Sequence, residues 1–255
     1  MNDLKISIII PAHNESNRIV KTLDDYCSFF PNAEIIVVLN ACTDDTHKII
    51  ERYQLKYFNL KYLDLIHGGK GYALNEGFKV AIGDLIGFTD ADDSTSAVEF
   101  YKLIHATLVN GSDGAIASRK LPESIVSPAQ PPMRQIASKC FGLLVRGMFG
   151  MNFSDTQCGA KCFTAQAAKD IAKLEGSSSW AWDVAALFEC KQKGYIVNEV
   201  PIEWNDAEGS KVKIVRTSIR MFLSIARLRI LHSPFKFIIT IYNKMPGWMK
   251  IHHRI

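Results

Sequence analysis

Along the first ninety residues, apolar positions come in short blocks separated by polar, helix-forming stretches. Ile6 to Ile10 is an unbroken apolar, largely β-branched run, which predicts a strand buried on both faces and ended by Pro11. Asn14 then predicts a helix cap, with the helix continuing to about Phe30 before Pro31 and Asn32 stop it. Ile35 to Leu39 is a second buried strand, and Thr43 opens a helix with Asp44 and Asp45 in its first turn, where acidic groups suit the helix dipole. The pattern repeats as a strand from Tyr62 to Ile66, a helix from about Tyr72 to Ala81 and a strand from Leu85 to Thr89. Such alternation predicts an α/β fold of right-handed βαβ units around a mostly parallel sheet flanked by helices. Ligands bind such sheets at the carboxyl ends of strands. The loops after Ile10, Leu39, Ile66 and Thr89 are therefore expected on one rim.

Those loops carry the unusual residues. Asp90-Ala91-Asp92-Asp93 follows a buried strand directly, and carboxylates at i and i+2 can both approach one hard divalent cation, Mg²⁺ or Mn²⁺, that clamps a diphosphate. Crowded carboxylates repel one another, which gives a bound cation a reason to be there. An acidic turn leading into the next helix is the alternative. His67-Gly68-Gly69-Lys70-Gly71 lets backbone approach a ligand closely and supplies a point charge for phosphate. It lacks the Gly-Lys-Ser/Thr ending of a P-loop, and an ordinary strand-to-helix turn is its other reading.

With 255 residues, 47% of them hydrophobic, the chain can bury the core of one large domain, and disorder is excluded. The apolar start is too short for a signal peptide and no window of about 18 apolar residues is present. Six scattered cysteines, with Cys158 and Cys162 no more than half a zinc site, read as buried thiols in a reducing cytosol. Charge is unevenly spread. No acid follows Glu208, while ten of the thirty basic residues do, so residues 1–208 carry a net −6. Such a tail implies an anionic partner, phosphate or a membrane surface, and no nucleic acid is expected. On helical spacing Lys213, Arg216, Arg220 and Arg227 oppose Val215, Ile219, Phe222, Ala226 and Ile230. Residues 212–255 are accordingly expected as a basic amphipathic segment at a membrane interface, beside a catalytic domain over 1–211. Gly142 to Phe153 is expected to make a second membrane contact. Packing of the tail on the sheet, or on a second copy in a homo-oligomer, is the alternative.

Ile8-Ile9-Ile10-Pro11-Ala12-His13-Asn14-Glu15, the Asn40 to Asp45 loop, Gly69-Lys70-Gly71 and Asp90-Ala91-Asp92 together resemble the family 2 inverting glycosyltransferases of the GT-A fold, a Rossmann-like architecture. Ala117-Ser118-Arg119, Arg134 with Ser138, and Asp155-Thr156-Gln157-Cys158-Gly159-Ala160-Lys161 are similar to the polyprenyl-phosphate sugar synthases within it, such as those making dolichyl-phosphate glucose and mannose. Asn40-Ala41-Cys42 departs from the acidic pair and glycine that many relatives carry.

This resemblance implies a nucleotide-sugar donor, UDP-glucose in preference to GDP-mannose, and a polyprenyl or dolichyl phosphate acceptor at the cytoplasmic face of a membrane. Pro11, Asn14, Glu15 and Asn40 would line the nucleoside pocket, with Lys70, Asp90 and Lys211 near the donor. Asp92 would ligate the metal with Asp90, and Ser94 lies where a related synthase places a polar residue of the metal shell. Arg119, Arg134 and Ser138 would take the acceptor phosphate, the arginines having surface ion pairing as their alternative. Asp155 would be the general base if the acceptor were a hydroxyl of a glycan or protein, or else a turn cap. Trp180 and Trp182 would form a sugar-stacking wall or pack in the core. A sugar-1-phosphate nucleotidyltransferase would need an arginine-containing, glycine-rich loop where Pro11 to Glu15 stands. A non-catalytic scaffold would not need these charges together.

Overall fold

The computed structural model describes residues 4–174, 181–205 and 214–237, the side chains of 214–218 excepted. The chain begins β1 (Ile6–Ala12), α1 (Ile19–Phe29), β2 (Glu34–Asn40), α2 (Thr46–Lys56), β3 (Leu60–Leu65), α3 (Lys70–Val80), β4 (Leu85–Thr89) and α4 (Ala97–Val109). It continues β5 (Gly114–Ser118), β6 (Ile125–Ser127), α5 (Pro132–Phe149), β7 (Ala160–Thr164), α6 (Ala165–Ile171), α7 (Trp182–Lys193), β8 (Val197–Pro201), β9 (Glu203–Asn205) and α8 (Ile214–Leu231). Seven strands form one sheet in the order β3-β2-β1-β4-β7-β5-β8, and β6 with β9 forms a small second one. β7 runs antiparallel to both neighbours, and every other pairing is parallel.

The apolar runs are continuous because the sheet is covered twice. Ile8, Ile10, Ile35, Val37 and Leu39 face α1, α2 and α4, packing with Leu23, Tyr26, Ile50 and Phe100. Ile9, Ile36, Val38, Ile86 and Phe88 face α3, α6 and α7, packing with Leu74, Phe78, Ile171 and Trp182. Each such side chain stabilises the fold by roughly 1.5–3 kcal/mol on burial. A third cluster joins Ile116 of β5 to Val145 and Phe149 of α5, Val184 and Leu187 of α7, and Ile225 and Leu228 of α8. Cys27, Cys158, Cys162 and Cys190 are buried free thiols whose pKa burial raises to about 12.

Several boundaries differ from expectation, each for a local reason. β1 runs through Pro11 to Ala12; β4 pairs with it only as far as Ile9↔Phe88, so the rim end has an open side where a missing amide is tolerated. Asn14 does not cap α1, which starts at Ile19; it sits at φ 55° and spends its side chain on the next loop. α2 starts at Thr46 because Thr43 to Asp45 form that loop instead. α3 starts earlier, at Lys70, directly after Gly69 at φ 141°, a conformation open to glycine.

On α8, Ile225 and Leu228 are buried, while Ile219 and Phe222, from the apolar side that spacing singles out, and Leu223 are exposed. The segment from Gly142 divides likewise. Leu143 and Leu144 are exposed, whereas Val145, Phe149 and Met151 are buried. Among the described residues no helix is long and apolar enough to cross a membrane.

Candidate active site

Pro11, His13, Glu15, Asn40, Lys70, Asp90, Ala91 and Asp92 line a cleft of about 260 Å³. Its walls are the loops that follow β1, β2, β3 and β4, gathered on one rim as parallel topology requires. Helix α1 fixes the acidic loop from behind. Thr22 Oγ1 donates to the Ala91 carbonyl at 2.9 Å, and the buried Tyr26 hydroxyl donates to the Thr95 carbonyl at 2.8 Å. These bonds hold both ends of the turn.

The three aspartates are split rather than pooled. Asp90 Oδ1 lies 2.5 Å from Lys70 Nζ, and Asp93, at φ 57°, turns away to pair with Lys21 at 2.8 Å. Among the described residues Asp92 has only Arg18 as an ion-pair partner, at 4.0 Å, and its Oδ1 accepts the Ser94 amide at 3.1 Å. Asp92 is therefore the open carboxylate of the cleft. Ser94 itself is 2% exposed and lies outside the cleft lining, so its contribution here is the amide that orients Asp92.

Burial raises the pKa of Asp90, with Lys70 opposing. Burial also works against the charge of Lys70, but Asp90 and Asp183 outweigh it and keep the ammonium protonated. Gly159 is what allows this pair: its carbonyl accepts the Asp90 amide at 3.0 Å, and a Cβ there would collide with the Asp90 carboxylate.

Asn14 and Asn40 act as clamps between loops. Asn14 Oδ1 accepts the Thr43 amide at 2.8 Å, and Asn40 Oδ1 accepts the Gly69 amide at 2.8 Å. The Asn40 carbonyl lies 2.6 Å from His13 Nδ1, and because a carbonyl only accepts, that nitrogen carries the proton. Burial raises the pKa of Glu15, against its ion pair with Arg18 at 2.6 Å.

Across the sheet, Arg119 and Asp155 are brought together, but onto each other. Arg119 Nε and Nη2 donate to Asp155 at 2.6 and 3.0 Å, and the guanidinium lies 4.9 Å from the Trp204 ring centre. Burial pushes the Asp155 carboxyl up, yet Arg119 outweighs it and holds the pKa at about 2. This is the ion pair that was the alternative for the arginine, made with Asp155. A carboxylate so stabilised is a poor general base, and two of the guanidinium's donors are committed before any phosphate arrives. Arg134 and Ser138 lie one turn apart on α5. Lys211 and Trp180 lie outside the described residues.

Trp182 is core and not a sugar wall: fully buried, it donates from Nε1 to Asn75 Oδ1 at 2.7 Å and packs under Gly71. Sequence reasoning places Lys161 within its motif but gives neither it nor Asp183 a role. Lys161, fully buried on β7, donates to Asp183 Oδ1 at 2.6 Å and stands 5.2 Å from the Phe88 ring centre, with Lys70 at 5.6 Å from that ring. A lysine inside the apolar run Ala160 to Thr164 was the available signal.

The donor set at the rim fits a hard divalent cation. Among the described residues no three His, Cys, Asp or Glu side chains gather into a metal cage. One open carboxylate, Asp92, matches the way Mg²⁺ and Mn²⁺ sit on one or two carboxylates and complete their shell with substrate phosphates and water.

Comparison with known proteins identifies the family and the fold. A family model described as Glycosyl transferase family 2 matches residues 7–171. The dolichyl-phosphate beta-glucosyltransferase ALG5C of Trichomonas vaginalis is 30% identical over 90% of this chain and 72% of its own length. The dolichyl-phosphate beta-glucosyltransferase of Saccharomyces cerevisiae is 29% identical over 89% and 75%. Glycosyltransferase AglD of Haloferax volcanii is 28% identical over 88% of this chain, which spans 37% of that longer protein. Among solved structures, mannosyl-3-phosphoglycerate synthase from Rubrobacter xylanophilus superposes with a TM-score of 0.68 at 17% identity, covering 90% of this chain and 74% of its own. Glucosyl-3-phosphoglycerate synthase from Mycobacterium tuberculosis, in complex with Mn²⁺, UDP and glucosyl-3-phosphoglycerate, gives 0.64 at 15%, covering 89% and 80%. The architecture is thus the GT-A fold, and the chain belongs to glycosyl transferase family 2 and is a glycosyltransferase.

Proposed function

We propose that this glycosyltransferase moves glucose from UDP-glucose to the phosphate of a polyprenyl phosphate of the dolichyl type, working on the cytosolic face of a membrane that it binds peripherally. The observation that carries this reading is the contrast between the two carboxylates proposed for catalysis: Asp92 is open to the cleft, whereas Asp155 is locked on Arg119. A hydroxyl acceptor needs a base, and the bidentate pair denies it Asp155. A phosphate monoester, with a second pKa of about 6, is already an anion near neutrality and attacks without one. The names of the similar Trichomonas and yeast proteins support the same acceptor.

The chain's own residues then place and neutralise charge. Asp92 would hold the metal, Lys70 would stand by the donor diphosphate with its charge sustained by Asp90, and Pro11, His13, Glu15 and Asn40 would wall the nucleoside. A divalent cation bound at Asp92 would stabilise the departing nucleoside diphosphate. One acceptor oxygen forms the new bond to the anomeric carbon as the bond from that carbon to the diphosphate breaks. Arg134 and Ser138 on α5 face the acceptor.

Membrane binding is supported by the surface beside that helix. Met133, Ile136 and Leu143 of α5, Ile219, Phe222 and Leu223 of α8, and Phe235 and Phe237 are all exposed, with Arg220, Arg229 and Lys236 interspersed. Apolar side chains mixed with basic ones suit the headgroup boundary of an anionic leaflet. The test is a donor panel: purified protein, Mn²⁺ and a polyprenyl phosphate are given UDP-glucose, GDP-mannose and other nucleotide sugars. Glucosyl transfer to the lipid that stops with excess chelator is the expected outcome. Transfer from none of the donors, or full turnover in chelator, would overturn the reading.

A further inference from the structure

Strand β7 carries a lysine where its neighbours are apolar. Lys161 is fully buried, and so is its partner Asp183, in the first turn of α7. A pair of this kind gains little over the cost of desolvating both ions, and residues of similar volume without charge are often as stable in its place. Stability is therefore a weak reason for it. Its contacts give a better one. Lys161 Nζ donates to Asp183 Oδ1 at 2.6 Å and to the Cys158 carbonyl at 2.7 Å, so it ties the start of α7 to the loop before β7. Both ends of that tie lead to the cleft. Cys158 is followed by Gly159, whose carbonyl accepts the Asp90 amide at 3.0 Å and whose missing side chain leaves room for the Asp90 carboxylate. Asp183 is preceded by Trp182, whose ring lies so close to Gly71 that a Cβ there would stand 2.8 Å from it. Gly71 follows Lys70 in the first turn of α3. One buried lysine is thus linked by two short routes to both members of the Lys70–Asp90 pair. Charge follows the same lines. The Lys161 and Lys70 ammonium groups stand 5.2 and 5.6 Å from the centre of one ring, that of Phe88, and the Asp183 carboxylate offsets the repulsion between them by attracting Lys70 as well as Lys161.

We propose that Lys161 and Asp183 are positioning residues for the donor half of the reaction, a charged strut behind the cleft that holds Lys70 and Asp90 at the spacing a nucleoside diphosphate requires. The inference rests on the nucleotide-sugar reading above. Neither residue lines the cleft; both act through the residues that do. Uncharged side chains of the same size would fill the space, but they would not hold the Cys158 carbonyl and the start of α7 to one ammonium, because a hydrogen bond has a direction and dispersion contact has little. The precision matters, since a misplacement of about 1 Å caused far from the chemistry costs on the order of 10²-fold in rate.

The full chain is compared with Lys161→Met and with the double variant Lys161→Met/Asp183→Asn, which removes both charges at nearly constant volume. The quantities read are the urea midpoint, the affinity for UDP in the presence of Mn²⁺, and KM for UDP-glucose and for polyprenyl phosphate. Lys161→Met strands the Asp183 carboxylate and should lower the urea midpoint, and the double variant should bring it back close to wild type. The double variant should nevertheless bind UDP about tenfold more weakly and raise KM for UDP-glucose by a similar factor, with KM for polyprenyl phosphate unchanged. Wild-type UDP affinity in the double variant would overturn the assignment. A double variant that melts as far below wild type as Lys161→Met would overturn it as well, because the pair would then be holding the fold. An equal rise in both KM values would do the same by showing that the whole rim is disturbed. Wild-type protein that unfolds cooperatively in urea but does not bind UDP with Mn²⁺ present would instead overturn the nucleotide-donor reading, and this inference with it.

Discussion

Two ion pairs stand at the carboxyl ends of the strands and look interchangeable in a list of charges, yet they have opposite uses. Lys70–Asp90 lies in the cleft with its side chains 33% and 30% exposed, whereas Arg119–Asp155 is 16% and 1% exposed and bidentate. In the first, desolvation and neighbouring charges leave one carboxyl pKa raised and one ammonium sustained beside an open aspartate. In the second, the carboxylate is pinned far below its ordinary range. The Lys70 side of the rim thus keeps its charges at the cleft, and the Arg119 side ties its pair into the loop that carries Gly159 against Asp90. Burial and partner geometry, not residue type, separate a site residue from a keystone.

Substitutions should separate the two halves by what they damage. Asp92→Ala, the largest expected effect on activity, should cut transfer about 10³-fold or more while the urea midpoint stays put. A loss of stability that parallels the loss of activity would mean the open carboxylate is structural. Arg119→Met should do the reverse first, lowering unfolding free energy by about 3 kcal/mol because it strands a buried carboxylate. Lys70→Met, in the less buried pair, should cost less stability than Arg119→Met and yet reduce transfer. Equal destabilisation by the two would erase the distinction.

Acid titration sharpens the contrast. The Asp155 pKa is depressed on folding, from 3.8 to about 2, so its contribution is complete above the ordinary carboxylate range and is lost as pH falls from about 4 towards 2. That loss amounts to about 2 kcal/mol. Denaturant melts across this window should show it in wild type and not in Asp155→Asn. An acid limb unchanged by that substitution would remove the pair from the account. The smallest effect belongs to the membrane face. Leu143→Ser and Phe222→Ser should each weaken binding to anionic liposomes about fivefold, on top of a salt dependence set by the basic side chains. Binding insensitive to both changes and to salt would give that face to protein packing.

How far the chain reveals this by inspection depends on whether a feature is local. The strands of the donor half are legible because Ile6 to Ile10, Ile35 to Leu39 and Leu85 to Phe88 are short apolar runs that only a doubly covered sheet absorbs. Their loops follow from topology, and so does the gathering of Pro11, Glu15, Asn40, Lys70, Asp90 and Asp92. Asn14 and Thr43 misled as helix starts since the groups that cap a helix also cross-link loops, and the deciding partner lies 29 residues away.

Pairing at longer range was invisible. Arg119 and Asp155 are 36 residues apart and Lys161 and Asp183 are 22 apart, and nothing in spacing says which charges meet. In α8 helical spacing singles out Val215, Ile219, Phe222, Ala226 and Ile230 and says nothing of which residues meet a neighbouring helix. Packing against α5 and α7 chose Ile225 and Leu228.

The central claim is that a phosphate oxygen, needing no base, is the nucleophile. It is tested most directly by giving purified enzyme with Mn²⁺ and UDP-glucose either a polyprenyl phosphate or the matching polyprenol, and weighing the products. The account predicts a glucosyl phosphate ester of the lipid from the first and none from the second. Glucosylation of the free alcohol at a comparable rate would contradict it.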